Sequence, residues 1–376
     1  MFRGKILQYL LLCGGGLATF QIGLNDGWPS FALPQLQSNT SIPQLTNEEG
    51  LWIATAFPIG ITVGSLLLPF TIDVFGRKTM LLVGALPFCS TWMVIAFLQN
   101  VWELLIARFV AGLSESITHF CIPVYLAEIA DPKIRGFLVT GTKISYTFGI
   151  LLSNILGTFL GITQAALISS AMTLGVLVCL LVPESPYFYI IKNDYDKAKK
   201  CLELFNENAD IDSIRDAVNE QKVNKGKWFE LFTVASNRKS LGIIIIIKVF
   251  NQLSGGVSFV FYAQTLFKES LFLYITGSTL GLHNIPYLII TEIFPLHVKS
   301  WAITLVNIFY GISATSVSKF FQYTKDEFGL HLPFIVFTIS SICSLPFFIF
   351  CVPETKKQSL EEIEKKLRSK STSNIN

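Results

Sequence analysis

Apolar residues fill this chain in long runs interrupted by short polar stretches. A helix needs roughly 20 apolar residues to cross the hydrocarbon core of a bilayer. Ten segments approach or reach that length: residues 6–26, 51–72, 79–98, 102–127, 137–160, 165–182, 241–266, 271–291, 301–321 and 332–352. The first run, led by Met1-Phe2-Arg3-Gly4-Lys5, also has the outline of a signal peptide. Its length, and its ending in Gly27-Trp28-Pro29 without a small-residue cleavage site, favour a retained span. The longest polar stretch, 187–239, parts the sixth run from the seventh. There, Asp194-Tyr195-Asp196-Lys197-Ala198-Lys199-Lys200 is followed by Leu202, Leu204 and Phe205, with a second pattern around Ile211–Val218. This spacing predicts short amphipathic helices outside the bilayer, and Ser359–Leu367 predicts another in the tail. The expected division is a six-helix bundle (1–186), a polar loop with short helices (187–239), a four-helix bundle (240–352) and a tail (353–376).

Composition turns this pattern into a class. Only 15% of residues are charged and 51% are hydrophobic, with 32 Phe, where soluble domains carry about 25% charged residues. A chain of 376 residues this poor in charge has too few polar groups to face water on all sides. The expected fold is therefore an all-α integral membrane protein. A net charge of +3 gives no reason to expect nucleic acid. Cys13, Cys89, Cys121, Cys179, Cys343 and Cys351 stand singly in apolar runs and read as buried thiols, neither a disulfide framework nor a zinc pattern. No metal, cofactor, nucleophile or general-base constellation is evident, so an enzyme is not expected.

The placement of Lys and Arg orients the spans. With the N-terminus inside, 23 of the 29 fall in alternate loops and tails that stay inside, and only Lys268 and Lys325 fall outside. Arg108, Lys143, Lys248 and Lys319 lie within spans. The positive-inside rule thus puts both termini in the cytoplasm. Asn39-Thr40-Ser41, an N-glycosylation acceptor, falls in the first outer loop.

The two halves repeat one layout. Glu128 precedes Arg135 by seven positions and Glu292 precedes Lys299 by seven. Val182-Pro183-Glu184-Ser185 closes the first half and Val352-Pro353-Glu354-Thr355 the second, 55 positions after Glu128 and 61 after Glu292 to their prolines. The loop Asp73-Val74-Phe75-Gly76-Arg77-Lys78 has no counterpart before Glu292. Two spans are missing near Lys268–Leu271, giving six plus four where six plus six is the pattern.

These motifs resemble the sugar porter family of the major facilitator superfamily, and within it the insect facilitated trehalose and glucose transporters. The resemblance rests on Asp73…Gly76-Arg77-Lys78, Arg108-Phe109…Gly112, Pro123…Tyr125…Glu128…Arg135-Gly136 and Pro183-Glu184-Ser185-Pro186-Tyr187-Phe188. In the second half it rests on Asn251-Gln252-Leu253-Ser254-Gly255, Phe261-Tyr262, Ile285-Pro286-Tyr287…Glu292-Ile293-Phe294-Pro295 and Pro353-Glu354-Thr355-Lys356. What is missing corresponds to the family's spans 8 and 9.

The resemblance implies a major facilitator bundle in the plasma membrane that carries a small sugar, trehalose or a hexose, by alternating access. It implies a gating set of charges at cytoplasmic span ends: Asp73, Arg77, Glu128, Arg135, Glu184, Glu292, Lys299 and Glu354. It implies substrate contacts at Asn251, Gln252, Tyr262, Thr279 and Tyr287. Lys143 replaces a family Gln, so either Glu115 neutralises it or the site is altered. Gly23 stands where proton-coupled members carry Asp, which implies uniport, and Asp26 reads as a turn residue at the outer end. His119 and His283 read as packed polar residues. The alternative is a truncated member that does not transport.

Overall fold

A computed structural model describes residues 2–38, 43–130, 134–205, 229–255, 296–329 and 331–351. Within them the chain forms α1 (Phe2–Leu36), α2 (Asn47–Phe75), α3 (Arg77–Ala96), α4 (Val101–Ile129) and α5 (Arg135–Phe159). Next come α6 (Ile162–Thr173), which tightens into a 3₁₀ stretch over Leu174–Leu181, then α7 (Pro186–Ile191) and α8 (Tyr195–Phe205). After a segment outside the described residues follow α9 (Glu230–Thr233), α10 (Ala235–Leu253), α11 (Leu296–Phe328) and α12 (His331–Cys351). Among the described residues seven helices are long and apolar enough to cross a membrane: α1 to α4, α6 with its 3₁₀ extension, α11 and α12. The second helix expected at 211–218, the run at 271–291 and the tail helix lie outside the described residues.

The distribution of polarity is that of a protein in lipid. Phe159, Trp102 and Ile349 are 80%, 73% and 73% exposed, while Arg108 and Lys248 are 0% and 2% exposed. A water-facing surface would reverse that order. Cys13 and Cys343 also lie on the exterior, which corrects the expectation that they are buried. A thiol that faces lipid gains nothing from burial, so an apolar run does not fix which side of its helix faces inward.

The end of the first helix differs from expectation. The first helix continues past Gly27-Trp28-Pro29 to Leu36, with Pro29 and Pro34 inside it. Prolines persist in membrane helices because packed neighbours hold the backbone in place, and Trp28, Phe31, Ala32 and Leu33 are buried in one apolar core with Trp92 and Leu104. Asp26 accordingly sits in mid-helix, not in a turn.

The first six spans pair in a symmetric way. Helix α1 packs along α5, and α2 along α4; α3 packs on both α4 and α6, while α1 meets the 3₁₀ extension of α6. Exchanging α1 with α4, α2 with α5 and α3 with α6 maps these pairs onto each other, the relation of two inverted three-helix repeats. Glycines mark both crossings. A Cβ on Gly23 would strike the Tyr146 carbonyl and one on Gly149 the Phe20 carbonyl. Likewise Gly60 meets the Phe109 carbonyl and Gly112 the Phe57 carbonyl. Each glycine therefore faces the carbonyl three residues before its partner glycine, and the backbones touch. Gly23 is consequently a packing residue in contact with α5.

Four apolar clusters set the site's position. One fills the end of the bundle near Met80, Phe120, Tyr125 and Cys179. A second fills the opposite end near Trp28, Ile53 and Trp92. Between them lies a small cluster of Ile22, Phe57, Ile61, Phe88 and Ala111, with Tyr146 and Tyr310 against it. In the second half, Leu231, Leu241, Ile244 and Ile247 pack with Ala302 and Val306. Helix α11 lies along α2 from end to end. Lys319 Nζ stands 4.2 Å from the Trp52 ring centroid at one end, and Phe70 meets Trp301 edge-on at 5.6 Å at the other.

Candidate functional site

Buried charge gathers in the middle layer, where the apolar filling is thinnest. Helix α1 brings Asn25 and Asp26, α4 brings Arg108, Glu115 and His119, and α5 brings Lys143 and Tyr146. Asp26 is 5% exposed and accepts a hydrogen bond from the Tyr146 hydroxyl at 2.7 Å. The Arg108 guanidinium donates to the Asn25 carbonyl at 2.9 Å and lies over the Phe57 and Trp28 rings at 4.3 and 5.2 Å. Its Nε and Nη2 have no hydrogen-bond partner. Stacking on two aromatic faces lowers the cost of burying this cation, and the fields of Asp26 and Glu115 both reach it.

Lys143 is held through His119. The Lys143 ammonium lies 3.1 Å from His119 Nε2. An ammonium only donates, so Nε2 accepts and the ring proton sits on Nδ1. That nitrogen faces Glu115 Oε1 at 3.7 Å, and Glu115 is within electrostatic reach of Lys143. Glu115 thus stands near Lys143 with an imidazole between them.

The second half contributes α10 and α11. Lys248 Nζ lies 5.3 Å from the Tyr310 ring centroid. One turn along, Gln252 is 1% exposed and neither its Nε2 nor its Oε1 has a hydrogen-bond partner. A buried amide with nothing to bond is costly. Asn251 is partly buried and its carbonyl accepts from the Ser254 hydroxyl at 2.7 Å. Tyr262, Thr279 and Tyr287 lie outside the described residues, as do His283 and Asn39.

The motif charges form a second cluster at the α3 N-terminus. The Arg77 guanidinium pairs with Asp73 at 3.1 Å and with Glu128 at 3.2 Å. Glu184 does something else: its carboxylate accepts from the backbone amides of Arg77 and Lys78, each at 3.0 Å, and from that of Ser185 at 2.9 Å. It thereby satisfies the orphan donors that begin α3. Gly76, at φ 91°, turns the chain there, and a Cβ would collide with that carboxylate. The Ser185 hydroxyl donates to Glu128, and Tyr125 to the Pro183 carbonyl. Below them, buried Cys201 on α8 donates to the Glu184 carbonyl at 3.0 Å, and burial pushes its thiol up to about 12. Glu292 and Glu354 lie outside the described residues, as do the side chains of Arg135 and Lys299. No group of three His, Cys, Asp or Glu among the described residues is placed to hold a metal.

Asp26, Tyr146 and Lys248 are polar groups of this layer to which motif reading gave no part in a site, and Arg108 entered it only as part of a motif. The available signal was the presence of ionisable groups inside spans, which face the interior by default.

Inverted pairing of spans around a buried polar centre defines a multi-pass carrier of major facilitator type. Residues 16–272 and 269–367 match the family model described as Sugar (and other) transporter. The chain belongs to that family, and it is a membrane transporter-family protein rather than an enzyme. It is 25% identical to the facilitated trehalose transporter Tret1-2 homolog of Drosophila simulans, covering 96% of this chain and 91% of that one. It is also 25% identical to the facilitated trehalose transporter Tret1 of Apis mellifera ligustica, covering 96% and 88%. Among solved structures, the proton:xylose symporter XylE bound to 6-bromo-6-deoxy-D-glucose aligns with a TM-score of 0.78 at 17% identity, over 97% of this chain and 100% of that chain. Inward-open XylE from E. coli aligns with a TM-score of 0.72 at 19% identity, over 96% and 99%.

The alignments carry the internal gap as well. The first spans 443 positions, yet 96% of 376 residues is about 361, which leaves about 82 positions with no residue of this chain opposite. The two segments matched by the family model meet at 269–272, where the two missing spans were expected.

Proposed function

We propose that this chain carries a small neutral or near-neutral sugar, trehalose or a hexose, across the plasma membrane by alternating access of two bundles, 1–186 and 240–352. The polar loop 187–239 joins them and both termini are cytoplasmic. The observation that carries this reading is Gln252: a buried amide with no hydrogen-bond partner, one turn past Lys248 near the end of α10. The names of the insect relatives support trehalose and facilitated transport. Uptake of labelled trehalose and glucose, normalised to surface protein, tests it. Saturable uptake that falls at least about tenfold in Gln252→Ala is expected, the loss of one or two hydrogen bonds to a polar ligand. Surface protein without uptake would refute transport and leave the truncated, non-transporting reading.

A second reading, proton-coupled uptake, is favoured by Asp26. The uniport argument took Gly23 as the acidic position, but Gly23 packs against α5. Three residues later on the same side of α1, Asp26 lies buried beside Tyr146 and within reach of Arg108. Uptake that a protonophore abolishes, and that Asp26→Asn makes insensitive to the proton gradient, would establish coupling; uptake unaffected by either would support uniport.

A further inference from the structure

Among the described residues, the helices that meet across the two halves along their length are α2 and α11. Their contacts keep one antiparallel register. Trp52 meets Lys319 and Phe70 meets Trp301, and each helix runs 18 positions between its two members. Gly311 stands 8 positions before Lys319 and 10 after Trp301. The matching place on α2 is Gly60, 8 after Trp52 and 10 before Phe70. The structure sets Gly311 against the turn centred there. A Cβ on Gly311 would lie 2.0 Å from Thr62 Oγ1 and 2.7 Å from the Pro58 carbonyl oxygen. The main chains therefore approach each other at this level, whereas long side chains span the gap at both ends.

Helix α2 is pared down at the same level. Gly60 lays it against the Phe109 carbonyl of α4. Pro58, inside the helix, has no amide to give the carbonyl four residues earlier, and helices bend where that bond is lost. The Thr62 hydroxyl turns back onto the Pro58 carbonyl at 3.0 Å. Beside the contact, Phe57 and Tyr310 belong to the apolar cluster of the central layer.

We propose that the two bundles rock about the contact of Gly311 with the Pro58–Thr62 turn, and that Trp52–Lys319 and Phe70–Trp301 part alternately. The pivot rests on the alternating-access reading above and adds where its axis lies: level with the central layer, which moves least while either end opens. At about 1.5 Å per residue the two ring contacts lie about 12 and 15 Å from the pivot. A rotation of about 15° would part them by about 3 and 4 Å. Starting from 4.2 and 5.6 Å, both then exceed the roughly 6–7 Å over which such contacts hold.

The test is a set of three spin-label distances in the purified full-length protein, with Cys13, Cys89, Cys343 and Cys351 replaced by serine. Labelled cysteines replace Glu48 and Tyr323 for the Trp52 end, Val63 and Ile312 for the middle, and Val74 and Ile349 for the Phe70 end; all six positions are exposed. Each end is expected to show two populations about 5 Å apart, and the middle one. Trp52→Ala is expected to raise the ratio of long to short about 2- to 30-fold at its own end, and Phe70→Ala about 2- to 10-fold at the other. In the double variant the two long fractions still sum to no more than one, because the ends never open together. Gly311→Leu wedges the seam, so it is expected to lengthen all three distances and erase the paired populations. A single population at each end, long fractions summing above one, or a middle pair as broad as the ends would overturn the pivot. So would Gly311→Leu behaving as the wild type; should that variant not fold, the other distances decide alone. If the ends alternate but no sugar enters cells, the pivot holds and transport fails. If labelled sugar enters cells while the middle parts as far as the ends, the pivot fails and the transport reading stands.

Discussion

Replacing the crossing glycines by alanine probes the bundle most directly. In Gly23→Ala the new methyl lands on the Tyr146 carbonyl oxygen, 2.9 Å from the Ile150 nitrogen and 3.0 Å from the Gly149 Cα. All three are backbone atoms, so no side-chain rotation relieves the clash. Restoring van der Waals separation requires α1 and α5 to part by about 1 Å. A packed interior yields little, and inserting a methyl group into one costs about 1–3 kcal/mol; the backbone contact here argues for the upper part of that range. Gly60→Ala and Gly112→Ala should cost as much at the α2–α4 crossing, since a Cβ on Gly112 would strike the Phe57 carbonyl and stand 3.0 Å from the Gly60 Cα. Gly242→Ala is the control: it lies within α10 with nothing within 4 Å of a Cβ, so it should be neutral or stabilise by up to about 1 kcal/mol through helix propensity. The assay is the melting curve of detergent-solubilised protein followed by size-exclusion fluorescence. Gly23→Ala and Gly60→Ala melting with the wild type, or no differently from Gly242→Ala, would refute the direct backbone contact.

Three further outcomes follow from the geometry. Glu184→Ala orphans the first amides of α3 and should cost about 2–3 kcal/mol, whereas Glu184→Gln retains an acceptor and should cost less; equal melting temperatures for Ala and wild type would disprove the capping role. Cys201, buried with its thiol pushed up to about 12, should resist maleimide at pH 7.5 in folded protein and react once the protein is denatured, because the thiolate is the nucleophile; labelling of the folded protein at the denatured rate would contradict it. Trp52→Ala removes a cation–π contact with Lys319 worth about 0.5–2 kcal/mol, so a cysteine replacing buried Thr55 should be labelled about 2- to 30-fold faster from the proposed outer side, and an unchanged rate would show that the contact does not hold that end closed.

Much of the helical layout was legible because membrane spans announce themselves through apolar length alone. The ends were harder. Gly27-Trp28-Pro29 read as a stop, since in water proline breaks a helix, whereas packing around Trp28 and Phe31 carries α1 on to Leu36. That error carried Asp26 out of the membrane and into a turn. Gly23 was matched to an acidic position by resemblance, while in the fold both residues face α5, Gly23 at the backbone crossing and Asp26 at the Tyr146 hydroxyl. Glu184 looked like one more member of a charge network because sequence shows its charge and not its distance to the α3 amides. Gln252 was singled out because an amide inside an apolar run is conspicuous, and the structure buries it. Helix α5 illustrates the opposite case: Thr142, Lys143, Tyr146, Ser153 and Asn154 lower its hydropathy, and they are there because they face the interior.

The inverted pairing also dictates an order of assembly. Gly60 and Gly112 are 52 positions apart, whereas Gly23 and Gly149 are separated by 126. At about 5–20 residues per second, the partner of α1 is synthesised roughly 6–25 s after α1 itself, and that of α2 within about 3–10 s. The α2–α4 pair is therefore available while α1 still waits with Asp26 unmatched by Tyr146. During that interval α1 depends on the insertion machinery to shelter its carboxylate, and the ribosome's pace between residues 27 and 149 becomes a determinant of yield.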